Sequence, residues 1–251
     1  MEQQEFLEKA YQIVEEGKQR GATLRILGAV AFHIHCPQYQ DYQVKANRPF
    51  TDLDFAAYFK HNQAIRALFE KMGYEEDREV AVVYARQRLV FNDLKSTLHF
   101  DVFFDKLDFC HPIPWAGRLE IESVTLPLAE LLLEKMQIFH LNEKDVIDTL
   151  MLIREHPINA GDSETINSER IARMCVKDWG LWRTVTMNLR KVSEISVKYD
   201  WLPKDDRAVI QERIAQLLAA IDQEPKTAAW KARNLIGDRV QWYKDVSEVQ
   251  M

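Results

Sequence analysis

The stretch LRILGAVAFHIHCPQYQDYQVKANRPFTDLDFAAY, residues 24–58, decides the fold. Its pattern predicts a short strand over Thr23–Leu27, a turn at Gly28, a helix over Ala29–His35 and a second strand over Leu53–Tyr58. Backbone N–H groups at the start of a helix have no partner within that helix. An anion such as phosphate is therefore the natural ligand at the turn. The order strand, glycine turn, helix and strand indicates a mixed α/β domain.

Two aspartates lie at the entry to the second strand. Residues two apart in a strand point to the same face, so Asp52 and Asp54 present neighbouring carboxylates while Leu53 and Phe55 point into the core. Two carboxylates this close repel each other unless a proton or a metal lies between them. Oxygen ligands of this kind favour Mg²⁺ or Mn²⁺. A solvated strand end is the alternative interpretation, and an isolated Asp-x-Asp is more often that.

A third aspartate lies in the middle of the apolar segment LHFDVFF, residues 98–104. Alternation places Asp101 and His99 on the face opposite to Leu98 and Phe100. An unpaired carboxylate in such a segment would cost several kcal/mol. The sequence therefore predicts that Asp101 has a partner cation.

The rest of the chain divides into a mixed front part and a helical back part. Further helices are predicted over Phe6–Arg20, Asn62–Met72, Pro127–His140, Lys144–Arg154, Glu169–Val176, Leu181–Tyr199, Asp205–Asp222 and Thr227–Tyr243, and further strands over Glu79–Ala85, Arg88–Asp93 and Leu98–Phe104. We expect an α+β protein with an α/β domain over residues 1–125 and a helical domain over 126–251. The polar stretch 156–168 is a linker candidate, with a helix N-cap at Ser168.

Composition limits the classes of protein that fit. The 251 residues include 33 basic and 39 acidic side chains, a formal net charge of −6, so no global basic surface advertises nucleic-acid binding. Cys36, Cys110 and Cys175 form neither a disulfide framework nor a CxxC pair. The first 20 residues lack an apolar signal segment, and no run of about 20 apolar residues is present. These features predict a cytoplasmic protein that does not bind a membrane.

The motifs resemble those of the nucleotidyltransferase superfamily with the polymerase-beta-like fold. That pattern is a Gly-Ser or Gly-Gly turn, an Asp-x-Asp on the next strand and a third Asp on a later strand. Within the superfamily, the chain looks closest to the abortive-infection toxin type, the toxin half of type IV toxin–antitoxin pairs. This type adds a Leu-x-x-x-Lys helix and a Lys/Arg-Asp-x-x-Asp helix, which here read LLLEK (131–135) and KDVID (144–148). The resemblance covers about residues 20–155.

The resemblance implies a nucleotidyltransferase-like mixed sheet with flanking helices, followed by a C-terminal helical bundle. It implies transfer of a nucleoside monophosphate from an NTP to an acceptor hydroxyl, with release of pyrophosphate and with Mg²⁺ or Mn²⁺ as cofactor. RNA, a protein or a small molecule is the implied acceptor, and an antitoxin-like protein is the implied partner.

The resemblance also assigns roles to residues. It implies that the metal is held by Asp52, Asp54 and Asp101, with Asp101 also accepting the acceptor's proton. It implies that the nucleotide is bound by Gly28, Ala29, Arg48 and Lys135, with Asp145 and Asp148 supporting the lysine. Ala29 departs from the family pattern, because the serine hydroxyl that would contact a phosphate is missing.

Three alternatives stay open at this point. Lys135 lies in the middle of an apolar helix face, where a lysine either extends to the surface or is held as a cation beside a site. Trp179 and Trp182 either pack the helical core or stack on nucleic-acid bases. A non-catalytic nucleotide-binding or protein-interaction module with the same fold is the rival to the enzyme, and Ala29 is its main support.

Overall fold

The computed structural model describes residues 3–84 and 86–246, and its contacts divide the chain into two compact units. The first unit contains the chain up to Ile34, Pro49–Leu107 and Ile113–Pro127, and the second contains His35–Arg48, Asp108–Pro112 and the chain from Leu128 onward. Each unit therefore combines separated stretches of sequence. The domains expected over residues 1–125 and 126–251 stay predictions.

The first part of the chain alternates helices and short strands. In chain order its elements are α1 (Gln3–Gln19), β1 (Leu24–Leu27), α2 (Gly28–His35), α3 (Asp41–Lys45), β2 (Leu53–Ala57), a 3₁₀ turn (Phe59–His61), α4 (Asn62–Lys71), β3 (Glu75–Glu76), α5 (Arg78–Tyr84), β4 (Arg88–Asn92), β5 (His99–Phe104), β6 (Lys106–Asp108) and β7 (Pro112–Pro114). All belong to the first unit except α3 and the residues of α2, β6 and β7 that lie beyond its bounds.

The first unit is organised around a five-stranded mixed sheet. The strand order is β1-β2-β5-β4-β3, with β2 and β5 parallel and the other neighbours antiparallel. Aromatic side chains fill one face, where the Phe69 ring stacks on the Phe91 ring at 4.2 Å between centroids and contacts the edge of Phe100. The α+β class and the mixed sheet are thus as predicted. The strands that carry Asp54 and Asp101 are neighbours in this sheet.

The strand predicted over Glu79–Ala85 is wrong for its described residues, which lie in helix α5. The Asp77 carboxylate Oδ1 accepts hydrogen bonds from the N–H groups of Glu79 and Val80, at 2.9 and 3.0 Å. This capping of the first turn starts a helix where the valines favour a strand. The edge of β4 is already paired with β3, so the segment has no strand partner there. Ala85 lies outside the described residues.

The second unit is mainly helical. Beyond α3 its elements are α6 (Leu128–Met136), α7 (Glu143–Glu155), β8 (Ile158–Asn159), β9 (Ile166–Asn167), α8 (Ser168–Lys177), α9 (Trp179–Ser196), α10 (Lys204–Gln223), α11 (Ala228–Ile236) and a 3₁₀ turn (Gly237–Arg239). The helix expected over Thr227–Tyr243 therefore ends seven residues early. Gly237, with φ of +60°, follows its last residue, as glycine commonly does at a helix end.

The polar stretch expected to be a linker is structured. β8 and β9 pair in parallel within it, and the side chain of His156 is buried, with its Nε2 atom 2.9 Å from the carbonyl oxygen of His35. The N-cap of α8 is Asn167 and not Ser168, because the Asn167 Oδ1 atom accepts the Arg170 N–H at 2.9 Å. The loop-like composition of residues 156–168 therefore did not indicate the small parallel strand pair that they form.

Helix α6 is buried along its whole length, charged residues included. The Glu130 carboxylate is fully buried and accepts a hydrogen bond from the Arg170 guanidinium at 2.9 Å. A buried charge needs such a partner.

Among the described residues, no helix combines the length and apolarity that crossing a membrane requires.

The buried side chain of His111 predicts a pH dependence of stability in the second unit. The Nε2 atom of His111 lies 2.8 Å from Thr184 Oγ1. Burial lowers the pKa of His111 below the usual 6.5; the charge of Asp178 opposes this shift, and the charge of Lys244 adds to it. Below about pH 6.5 the unfolded chain takes up a proton that the folded chain resists, so the free energy of unfolding falls, by at most about 1.4 kcal/mol per pH unit. We expect His111→Gln to flatten this slope.

The measurement is urea denaturation between pH 7.5 and 5. His140→Gln, at an exposed histidine of the same unit, is the matched control and should keep the wild-type slope. A His111→Gln slope equal to that of the wild type would contradict the prediction.

Candidate active site

The turn between β1 and α2 is shaped by its contact with Asp54. Leu27 and Asp54 are register partners in the β1–β2 pair, so the aspartate lies beside the residue that follows the strand. Gly28 has a φ of +69°, and a Cβ there would overlap the Asp54 carboxylate. Glycine is therefore required by both the backbone conformation and the close approach. The Asp54 carboxylate lies against the start of α2, where the sequence predicts a bound phosphate.

We expect Gly28→Ala to lower the free energy of unfolding by about 1–3 kcal/mol, because it strains the backbone and displaces the Asp54 carboxylate. Gly73→Ala is the matched control: φ is +85°, but an added Cβ meets nothing within 4 Å. Only the backbone penalty applies at Gly73. Urea denaturation of both variants gives the comparison, and equal losses would show that the contact with Asp54 has no energetic weight.

Asp101 lies beside Asp54 on the neighbouring parallel strand. The two residues are register partners in the β2–β5 pair, so their side chains leave the sheet on the same face. Asp101 is only 4% exposed. The structure therefore brings two of the three candidate metal ligands to one face of adjacent strands.

The partner cation of Asp101 is Arg88, which the sequence analysis did not identify. Arg88 lies two residues before Val90, the register partner of Asp101, and thus on the same face of the sheet. Its Nε atom donates to the Asp101 Oδ1 atom at 2.5 Å. Burial lowers the pKa of Arg88, but the hydrogen bond and charge of Asp101, together with the charge of Asp54, raise it above its usual value. Arg88 therefore stays charged and satisfies the buried carboxylate.

Asp52 is more accessible than Asp101. It precedes β2, and its Oδ2 atom lies 3.7 Å from the Nε2 atom of His99, the first residue of β5; the two side chains are 33% and 42% exposed. Leu53 and Phe55 are fully buried, as the alternation predicts. His99 therefore faces the Asp-x-Asp motif from the neighbouring strand.

Ala29 occupies the position at which the resembling family has serine or glycine. Its side chain is buried, with 5% of the residue exposed. The methyl group is therefore part of the packing under the turn. The Ala29 side chain carries no hydroxyl that could contact a phosphate.

A three-ligand metal site is not preformed in the described part of the chain. Within residues 3–84 and 86–246, no three His, Cys, Asp or Glu side chains stand together in an arrangement that could hold a metal ion. In the first unit, Asp54 lies against Gly28, Asp101 contacts Arg88, and Asp52 contacts His99.

Lys135 is buried in the second unit among three carboxylates. Its Nζ atom lies 3.0 Å from Glu134, 3.4 Å from Asp148 and 3.7 Å from Asp145, and its side chain is 10% exposed. Burial alone lowers the pKa of Lys135, but the three carboxylates raise it above its usual value. The alternative in which Lys135 extends to the surface is therefore wrong. It is a buried ammonium held by carboxylates.

Asp148 connects this lysine to the segment before β2. The carboxylate is fully buried, with Oδ2 3.4 Å from Arg48 Nη2 and Oδ1 accepting from Gln43 Nε2 at 3.4 Å. Asp145 has a second structural contact, because it forms a reciprocal capping box with Asn142 at the start of α7. The structure therefore brings Arg48, Lys135, Asp145 and Asp148 together within the second unit.

Trp179 of the predicted tryptophan pair lies in the helical core. Trp179 is 5% exposed, its Nε1 atom donates to Asn234 at 2.8 Å, and the Arg233 guanidinium lies 4.2 Å from its ring centre. Its ring lies 5.8 Å from that of Trp182. The packing alternative therefore describes Trp179, whose ring is covered by neighbouring side chains.

Comparison of the chain with family models, with curated proteins and with solved structures found no match. The arrangement of the side chains is therefore the observation on which a function can be proposed.

Proposed function

We propose that this protein is a metal-dependent nucleotidyltransferase with a nucleotidyltransferase-like sheet and a C-terminal helical bundle. It moves a nucleoside monophosphate from an NTP to an acceptor hydroxyl and releases pyrophosphate. The observation that carries the proposal is the juxtaposition of Gly28, Asp54 and Asp101. A glycine turn opens a helix against one aspartate, and the next aspartate is its register partner on the adjacent strand.

The carboxylates fit a divalent cation by their chemistry. Asp52, Asp54 and Asp101 offer only oxygen ligands, which Mg²⁺ and Mn²⁺ prefer. Gly28 leaves the space that a Cβ would fill, and the Asp54 carboxylate uses it. When bound, the metal would supply charge neutralisation at the phosphates during an in-line displacement.

The protein's own groups have separate roles in this proposal. The N–H groups of Gly28 and Ala29 donate to phosphate oxygens at the positive end of α2. Asp101 accepts the proton of the acceptor hydroxyl, and Arg88 holds the Asp101 carboxylate by a hydrogen bond beforehand. The roles of Arg48 and Lys135 in triphosphate binding, and of Asp145 and Asp148 in supporting them, stay predictions.

A second candidate is a catalytically inactive nucleotide-binding or protein-interaction module. The specific observation that favours it is the ion pair between Arg88 and Asp101, which satisfies the third carboxylate without a metal. Ala29 also supports it. In either case we propose that the helical region selects the acceptor or partner, with RNA, a protein, a small molecule and an antitoxin-like protein as the classes to test.

The test measures which phosphate of the NTP is transferred to the acceptor. The protein is incubated with Mg²⁺ or Mn²⁺ and each NTP labelled on the α-phosphate, with total RNA, the protein itself and hydroxyl-bearing small molecules as acceptors. Label transfer from the α-position and none from the γ-position supports the proposal. Transfer of label from the γ-phosphate would indicate phosphoryl transfer instead. Binding of NTP without any transfer of label would indicate the second candidate, an inactive nucleotide-binding module.

A further inference from the structure

We propose that Arg88 is a built-in counter-cation, a positioning residue that holds Asp101 while no metal is bound and releases it when a divalent cation binds. This inference rests on the proposed function, because it concerns the metal-binding carboxylates of that site. It assigns to Arg88 a role that the motif resemblance does not contain. The metal and the guanidinium are competitors for one carboxylate.

Burial makes a cation at Asp101 necessary at all times. Asp101 is 4% exposed, and an ionised carboxylate that is buried without a partner is strongly destabilising. Arg88 satisfies it through the Nε atom, and its charge also acts on Asp54. Without Arg88, the neighbouring carboxylates of Asp54 and Asp101 would repel each other. Arg88 thus keeps the metal-free sheet stable.

The position of Arg88 allows it to leave. It is the first residue of β4, opposite Phe103 in the β4–β5 register, and its side chain is 16% exposed. The guanidinium carbon lies 5.3 Å from the Phe103 ring centre, so an aromatic ring lies beside the head group. Rotation of the side chain leaves the β4–β5 pairing in place, because backbone atoms make that pairing. The guanidinium can therefore exchange with a metal without unfolding the strand.

The charges show the direction of the effect. Asp54 and Asp101 are register partners with two carboxylates between them, and Arg88 balances one of the two negative charges. Replacing Arg88 by a neutral side chain raises the negative potential at the carboxylates and removes the competitor. We therefore expect Arg88→Gln to bind Mn²⁺ roughly tenfold more tightly than the wild type, because attraction to a dication increases with each unbalanced charge.

The experiment combines calorimetric Mn²⁺ titration with thermal unfolding in EDTA and in Mn²⁺. Arg88→Gln should unfold at a lower temperature than the wild type in EDTA and gain more from Mn²⁺. Arg66→Gln is the matched control, because Arg66 pairs with Glu76 at 2.8 Å in the same unit, and its loss should leave Mn²⁺ affinity unchanged. A purely structural ion pair would lower stability without raising metal affinity.

Each outcome decides between the proposals. Wild-type protein that binds Mn²⁺ as tightly as or more tightly than Arg88→Gln overturns the counter-cation role and leaves the proposed function standing. Failure of both proteins to bind Mn²⁺ overturns the metal site and this inference with it. An Arg88→Gln protein that is unfolded in EDTA should regain its near-UV circular dichroism when Mn²⁺ is added, and failure to do so also overturns the role.

Discussion

Asp54→Asn is expected to lower nucleotidyl transfer by more than about 100-fold. Losing a group that merely supports a metal ligand costs about 10–100-fold in metal affinity or activity, so losing a ligand itself costs more. Asp54 also lies against Gly28 and is the register partner of Asp101, which places it at the centre of the candidate site. The measurement is the initial rate of α-label transfer at saturating NTP and Mg²⁺.

Asp105→Asn provides the control for Asp54→Asn. Asp105 is an exposed aspartate just after β5, with φ of +61°, a conformation that asparagine tolerates well. Its replacement removes one negative charge from the same unit and should leave the rate within about twofold, since exposed charges contribute little. Equal rates for Asp54→Asn and Asp105→Asn would remove Asp54 from the catalytic site.

Lys135→Met is expected to lower the free energy of unfolding by about 3–5 kcal/mol, the cost of removing one partner from a buried ion pair. Methionine keeps the length and the apolar contacts of the lysine stem. It leaves Asp148 fully buried with less positive charge beside it, and Glu134 loses its 3.0 Å contact. Urea denaturation at pH 7 measures the loss.

Two further variants test the physical cause. Lys45→Met removes an exposed lysine that pairs with Asp41 one turn away, and should cost less than about 1 kcal/mol. Adding Asp148→Asn to Lys135→Met removes an uncompensated buried charge and should recover part of the lost stability. If the double variant instead has a lower free energy of unfolding than Lys135→Met, the buried-charge explanation is contradicted.

Local periodicity was sufficient for the framework of the candidate site. Strand alternation around Leu53 and Phe55 identified the buried face and hence the direction of Asp54. The break at Gly28 located the start of α2 to within one residue, since the helix predicted from Ala29 begins at Gly28. These features depend on neighbours in the chain, which is why one sequence contains them.

What the sequence did not contain is pairing between distant residues. Arg88 is in an ordinary strand pattern, and only the β4–β5 register shows that it faces Asp101. A search for a basic residue on the strand next to Asp101 would have found it once the strand order was known. The short strands β8 and β9 were missed because two residues carry too little periodicity. Helix α5 was missed because the cap at Asp77 outweighed the strand preference of the valines.

The sequence indicated a lysine partner for Asp148 but not its arginine partner. The one-turn spacing of Asp145 and Asp148 indicated a shared helix face and a contact with either Lys135 or Lys144, and the structure pairs both aspartates with Lys135. The second cation, Arg48, comes from a segment about 100 residues earlier. Its contact with Asp148 depends on α3 lying in the second unit, which no local pattern could show.

The most direct test of the account is the shift in melting temperature that NTPs cause with and without Mg²⁺ or Mn²⁺, in the wild type and in Asp52→Asn. It needs no knowledge of the acceptor, and ligand binding to the folded state raises the melting temperature by mass action. If the site is a metal-dependent nucleotidyltransferase site, at least one NTP should raise the melting temperature. This shift should require the metal and should disappear in Asp52→Asn. A shift of equal size without metal and in Asp52→Asn, or no shift with any NTP, would contradict a metal-dependent nucleotidyltransferase site.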